Sequence, residues 1–360
     1  MTHLRAIVLG GAAAALIVGG AATKSFAIEN GDFTNYLRGA TQGLPLGGLP
    51  PPGLYGGFGL DVTGLPAGLF NAGAGNQKIG AAPGFTVPTT APAFGYGVNL
   101  LWVPGWTFLG ANYGAGIVQG FYFATSEGGS APPFTSQTAI SPELANTSFT
   151  PIDLSWNLGH GWFVSAALSI VGPDGSQWGS TGNNVDLNPD FWTVAPGWAI
   201  SYFDANWQLS ANFLYDINTA SRGVTMATPY IPPGAGNGYI SGNELFGDFS
   251  ALYKIGKWQI GPVGYFEAQT TADSPGGGYT CATAAAAATA SGFMNSPVCA
   301  YQSQIAIGAL VGYDFGPAAV QLWFDDTVEC RNAVCGLDVW ARMTFRIWAP
   351  EAAKPLVAKN

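Results

Sequence analysis

Between Gln302 and Trp348 the chain alternates apolar and polar residues with a period of two. In the last run Val339, Ala341, Met343, Phe345 and Ile347 share one face, and Asp338, Trp340, Arg342, Thr344 and Arg346 share the other. Before it, Val320, Leu322 and Phe324 oppose Gln321, Trp323 and Asp325. Earlier still, Ile305, Ile307, Ala309, Val311, Tyr313 and Phe315 oppose Gln302, Gln304, Gly308, Gly312 and Asp314. Strand side chains point alternately to opposite faces, so one face suits lipid and the other water. The runs match a tilted membrane-crossing strand of roughly nine to eleven residues. Gly316-Pro317 joins the first two runs, and Glu329 to Leu337 joins the next two. One tight connection followed by one loose connection is the rhythm of an outer-membrane barrel.

The same rhythm runs through the rest of the chain. Strands are expected at Leu54–Val62, Phe94–Val103, Trp106–Thr125, Ser148–Leu158, Trp162–Val171, Phe191–Phe203, Trp207–Ile217, Gly242–Ile255 and Trp258–Thr270. Tight turns fall at Pro104-Gly105, Gly159-His160-Gly161, Asp204-Ala205-Asn206 and Gly256-Lys257. Long segments at Thr63–Ala93, Ser126–Thr147, Gly172–Pro189, Asn218–Ser241 and Thr271–Ala300 read as loops. Together with the last three runs this predicts an all-β fold, a transmembrane antiparallel up-and-down barrel of about twelve strands over 53–348. Short turns would face the periplasm and long loops the exterior. Pro50-Pro51-Pro52 cannot lie within a strand, so 28–52 is an irregular leader, either a plug at the periplasmic side or a tether. Residues 349–360 form a periplasmic tail.

Composition agrees with this. Charged residues make up 9% of the 360 and aromatics 13%, an unusual balance for a soluble enzyme. After residue 27 no apolar run is long enough for a helical span. Residues 1–27 have the form of a secretory signal: Arg5, an apolar core at Ala6–Ala22, and Ser25-Phe26-Ala27 as a small-x-small cleavage site. Losing Arg5 and Lys24 takes the formal charge from −9 to −11, which argues against a nucleic-acid partner. The cysteines are Cys281, Cys299, Cys330 and Cys335. In an exported chain they are expected as disulfides. Three pairings are open by count. Closure within one loop costs least chain entropy, which favours Cys281–Cys299 and Cys330–Cys335. No histidine is near them, as a zinc site would require.

An ordered set of short motifs carries a family resemblance. It comprises Pro50-Pro51-Pro52-Gly53-Leu54-Tyr55, Phe191-Trp192-Thr193-Val194-Ala195-Pro196-Gly197, Leu209-Ser210-Ala211-Asn212 and Tyr215-Asp216-Ile217-Asn218. It continues with Ser241-Gly242-Asn243-Glu244, Gly261-Pro262-Val263-Gly264-Tyr265 and Gly312-Tyr313-Asp314-Phe315-Gly316. In these the chain resembles outer-membrane proteins of the meta pathway of phenol degradation. The resemblance implies a barrel in the bacterial outer membrane that moves small aromatic or other apolar compounds through it. The chain departs from that pattern in the residues after Trp348 and in its cysteine-bearing loops.

Chemistry along the chain is sparse. His160, the one histidine after residue 27, sits in a predicted turn between glycines with no nucleophile placed beside it. No catalytic, cofactor or metal site is expected. The inward carboxylates are more informative. Asp216, Glu244, Asp248, Glu267 and Gln269 fall on inward faces of neighbouring strands, and Asp325 is expected to form one charged cluster with Arg342 and Arg346. Such groups either fill and stiffen a narrow lumen or form a polar track that orients a solute. The expected partners are outer-membrane lipid and a small apolar or aromatic solute. A structural or adhesive barrel whose external loops bind a partner is the alternative.

Overall fold

The computed structural model describes residues 35–65, 93–125, 140–175, 189–221, 240–283, 286, 299, 301–331 and 336–350. The expected signal segment, most of the first long loop and Cys335 lie outside them. So does the side chain of Cys330, and with it the expected Cys330–Cys335 bridge. Strands run over Gly53–Leu65 (β1), Ala93–Val103 (β2), Thr107–Phe108 (β3), Ala111–Thr125 (β4), Ile140–Leu144 (β5), Thr147–Gly159 (β6) and Trp162–Gly172 (β7). They continue with Thr193–Phe203 (β8), Trp207–Asn218 (β9), Glu244–Ile255 (β10), Trp258–Gln269 (β11), Ser303–Asp314 (β12), Ala318–Arg331 (β13) and Leu337–Trp348 (β14).

Every strand pairing is antiparallel, and apart from the closing pair it joins chain neighbours, except where β2 passes over the short β3 to pair with β4 and β4 over β5 to pair with β6. β14 pairs with β1, so the sheet closes on itself. The wall is a closed barrel of twelve strands. β3 and β5 are short additions at the two ends of β4. Closure leaves no wall strand with an unpaired edge, which is what a bilayer demands of backbone polar groups. No helix among the described residues is long and apolar enough to cross a membrane.

Two expectations change here. The long run Trp106–Thr125 is broken rather than continuous. Leu109 and Gly110 both take positive φ, 51° and 76°, and fold β3 back onto β4 as a hairpin. The segment 126–147, expected as loop, contains β5, which pairs alongside the last five residues of β4, Phe121 to Thr125. Ser141-Pro142-Glu143 shows no apolar alternation, so sequence periodicity could not reveal it.

The outward face is apolar. Val98, Ile307, Leu322 and Val339 are all exposed although large and hydrophobic, an arrangement that lipid rather than water accommodates. At the short-turn end aromatic side chains pair across turns and neighbouring strands. Trp102 meets Trp106, Trp162 meets Tyr202, Trp207 meets Tyr253, and Trp258 meets Tyr313, with ring centroids 4.8–5.1 Å apart. A belt of Trp and Tyr at one rim marks a membrane–water interface.

The short turns themselves have clear causes. Gly159, His160 and Gly161 all have positive φ, and a Cβ at Gly161 would collide with the carbonyl oxygen of Phe203. In the β8–β9 turn Asp204 accepts from the amides of Trp207 (2.6 Å) and Asn206 (2.7 Å). Those two bonds hold its carboxyl below the usual carboxylate range. At the other end Cys281 and Cys299 are joined in a disulfide, as expected for the loop between β11 and β12.

Candidate functional site

The lumen is polar, and the leader runs through it. Asn35 stands at the long-loop end, where it donates to Thr193 Oγ1 at 2.7 Å and accepts from Asn146. Tyr36 packs against Phe246. Arg38 donates to Tyr265 Oη at 3.1 Å. The chain then descends. Asp248 accepts from the amides of Gly39 (3.0 Å) and Thr41 (2.8 Å) and from the Thr41 hydroxyl (2.6 Å). Gln42 donates to Asp325 at 3.0 Å. Gln208, Ser210 and Asn212 donate to the carbonyls of Gly43 and Leu44. Gly47 donates to Ser201 and accepts from Ser155 at the short-turn end, where a Cβ would press into the wall backbone. β1 begins a few residues later.

Side chains on β6, β8, β9, β10, β13 and β14 thus bind the leader mostly through its backbone. This asks little of leader sequence beyond small residues at close approaches. It explains why alternation along the wall gave no sign of the leader's path.

The structure places the expected inward residues as follows. Asp216 and Glu244 are cross-strand partners on β9 and β10, and both are buried. Glu244 also faces Gln269 on β11. Gln269 donates to Asp273 and accepts from the Gln302 amide at the outer end. Glu267 lies 3.9 Å from Arg38. Gln302 donates Nε2 to Glu244 at 2.6 Å and to Glu267 at 2.8 Å. Asp248 is given over to the leader turn.

The expected cluster of Asp325, Arg342 and Arg346 does not form. In the β13–β14 register Asp325 faces Asp338, and Arg342 faces Gln321. Arg342 donates to Gln321, to the Ala40 carbonyl at 2.9 Å and to the Gln42 carbonyl. Arg346 stands exposed near the periplasmic rim, opposite Tyr55 on β1. The three do share a face. Face follows from alternation, whereas height along the strand does not.

Sequence reasoning missed a hub at Tyr265. Its hydroxyl accepts from Arg38 and from Gln304 (2.8 Å) and donates to Asp338 (3.2 Å). It also missed Trp323 and Trp340, stacked with centroids 5.5 Å apart and rings 2° from parallel, with the Arg342 guanidinium 4.7 Å above Trp323. Both tryptophans sit on inward positions that the alternation already marked.

One part of the lumen wall is not packed against the described part of the leader, residues 35–52. Arg342, Gly59, Gly97 and Gly120 lie side by side across β14, β1, β2 and β4. A Cβ at Gly59 would meet only a backbone oxygen at 3.9 Å, and one at Gly97 only a backbone oxygen at 3.7 Å. Val118, in register with inward Asn99, is 46% exposed. Among the described residues, space therefore remains beside this small-residue face.

A closed twelve-stranded barrel with an apolar outer belt, an aromatic rim and a polar interior is a bacterial outer-membrane protein. Residues 81–343 match the family described as "Putative MetA-pathway of phenol degradation", and the chain belongs to that family. Among solved structures it is similar to the COG4313 outer membrane channel from Pseudomonas putida F1. The TM-score is 0.60 at 10% identity, covering 83% of this chain and 96% of that one. Weaker likenesses include the TodX monoaromatic hydrocarbon channel, a deltaS2 mutant (TM-score 0.41, 9% identity, 90% and 95% covered), and the Ralstonia pickettii toluene transporter TbuX (TM-score 0.35, 11% identity, 86% and 92% covered). No curated protein sequence matches the chain.

Proposed function

We propose that the protein is a non-catalytic outer-membrane conduit for small aromatic or other apolar compounds. On this reading the leader is a fixed inner constriction, and solute passes between it and the face formed by β1, β2 and β4. The observation that carries the reading is the space at Gly59 and Gly97 among the described residues, whereas side chains on β6, β8, β9, β10, β13 and β14 hydrogen-bond to the leader. Glycine and valine offer a solute no hydrogen bonds, which suits an apolar one. The family's description supports the same class of solute. His160 stands exposed in the β6–β7 turn, away from the lumen, and has no part in it.

Deletion of the gene tests this. The deletion strain should grow more slowly on a limiting aromatic carbon source and normally on succinate, with growth restored by the wild-type gene. Equal growth on both carbon sources would overturn the uptake reading and favour a barrel that works through its external loops.

A further inference from the structure

The glycine and valine face of the passage carries one free amide. Asn99 is an inward residue of β2, in register with Gly57 on β1 and Val118 on β4. On the other side of Gly57 stands Thr344 of β14, on the same inward face. This row lies one step toward the short turns from Gly59 and Gly97. A Cβ at Gly57 would sit 2.1 Å from Asn99 Oδ1. The amide therefore lies across the glycine, in room that any side chain there would close. Asn99 and Thr344 are both half-buried. Among the described residues neither side chain makes a hydrogen bond. Other polar groups near the passage are spent or out of reach. Arg342 donates to Gln321 and to the leader carbonyls. Asp61 lies over Gly95 and is 5% exposed. The indole N–H groups of Trp323 and Trp340 are unpartnered among the described residues, but both nitrogens are fully buried.

A polar side chain held in a partly buried wall without a protein partner is costly, and most such groups in folded proteins are paired. An amide presents one acceptor and two donors, and a threonine hydroxyl presents both kinds. Their complement is a single solute group that donates and accepts at once, which a hydroxyl does and a hydrocarbon does not. Apolar sites take their specificity from a few polar groups placed in this way. We propose that Asn99, with Thr344 beside it, is the specificity-determining residue of the passage. It hydrogen-bonds the hydroxyl of an aromatic alcohol whose ring rests on Gly59 and Gly97. The conduit then favours hydroxylated aromatics over hydrocarbons of the same size. This rests on the uptake reading and adds the functional group of the solute.

Asn99→Leu tests this, because it keeps the size of the side chain and breaks no hydrogen bond described above. Heat-modifiable gel mobility selects folded protein, and Asn99→Ala takes its place if the leucine variant does not fold. The deletion strain carrying the wild-type or variant gene is given para-fluorobenzyl alcohol and para-fluorotoluene at limiting concentration. The ratio of protein-dependent alcohol uptake to protein-dependent toluene uptake should fall about fivefold in the variant, the loss of one ordinary hydrogen bond. With purified full chain in detergent, the fluorine NMR line of the alcohol should be broadened more by wild type than by the variant. An unchanged uptake ratio, or lines broadened equally by both proteins, would overturn the role of Asn99 and leave uptake standing. Uptake no greater than in the deletion strain, with broadening that still depends on Asn99, would overturn the uptake reading and leave the hydroxyl site.

Discussion

Asp248 should hold the leader turn in place, and its removal gives a local, measurable effect. Its carboxylate accepts from two leader amides, Gly39 at 3.0 Å and Thr41 at 2.8 Å, and from the Thr41 hydroxyl at 2.6 Å. Hydrogen bonds to a charged group contribute about 1.5–3 kcal/mol each. Asp248→Ala loses the two backbone bonds outright. Water entering the vacated site satisfies the hydroxyl, so the low end of the range applies, about 3 kcal/mol for the turn. That is about a hundredfold in the opening equilibrium of the segment. Neighbouring anchors, Arg342 on the Ala40 carbonyl and Gln42 on Asp325, remain, so loosening should stay local.

Hydrogen exchange on folded, detergent-solubilised protein reads this residue by residue. The amides of Gly39 and Thr41 should exchange about a hundredfold faster in the variant. The amide of Gly47, held by Ser201 near the other end of the leader, should be unchanged. Unchanged exchange at Gly39 and Thr41 would show that the carboxylate does not hold the leader. Equal acceleration along β9, β10 and β11 would show that Asp248 supports the wall instead.

Other outcomes follow from the same geometry. Ile307→Arg places a charge on the lipid face, where Ile307 is 47% exposed. It should destabilise the barrel by roughly 2–4 kcal/mol and reduce insertion, whereas Arg346→Ala at the rim should leave assembly intact; the reverse pattern in heat-modifiability gels would mean the faces are misassigned. Gly97→Trp should fill the space beside the leader and cut solute flux without loss of folded protein, and undiminished flux would place the passage elsewhere. Peptide mapping without reductant should recover Cys281 joined to Cys299, and the pair's replacement by serine should cost about 3 kcal/mol for a loop of this length (separation 18), seen as faster external proteolysis; a Cys281–Cys330 peptide would instead show loops stapled to one another.

Much of this protein follows from its sequence alone. Alternation assigns each wall residue to a face because consecutive strand side chains must point opposite ways. Tight turns at glycines and at Asp204, alternating with long connections, fix the up-and-down order and about twelve crossings. The Cys281–Cys299 bridge follows from local closure. What alternation leaves undetermined is height. Sliding a strand by two residues keeps every side chain on its face and changes every cross-strand neighbour. Turn lengths and bulges settle that choice, such as the register shifts between Gly114 and Gly116 and between Ile305 and Ala306. Arg342 therefore meets Gln321 rather than Asp325, and Asp216 meets Glu244. The leader's course was decided by the tertiary structure alone. Its backbone carries most of its bonds to the wall, and backbone groups are the same at every residue. Only once the barrel closes around it do Asp248, Arg342, Gln208 and Asn212 converge on one short stretch of chain.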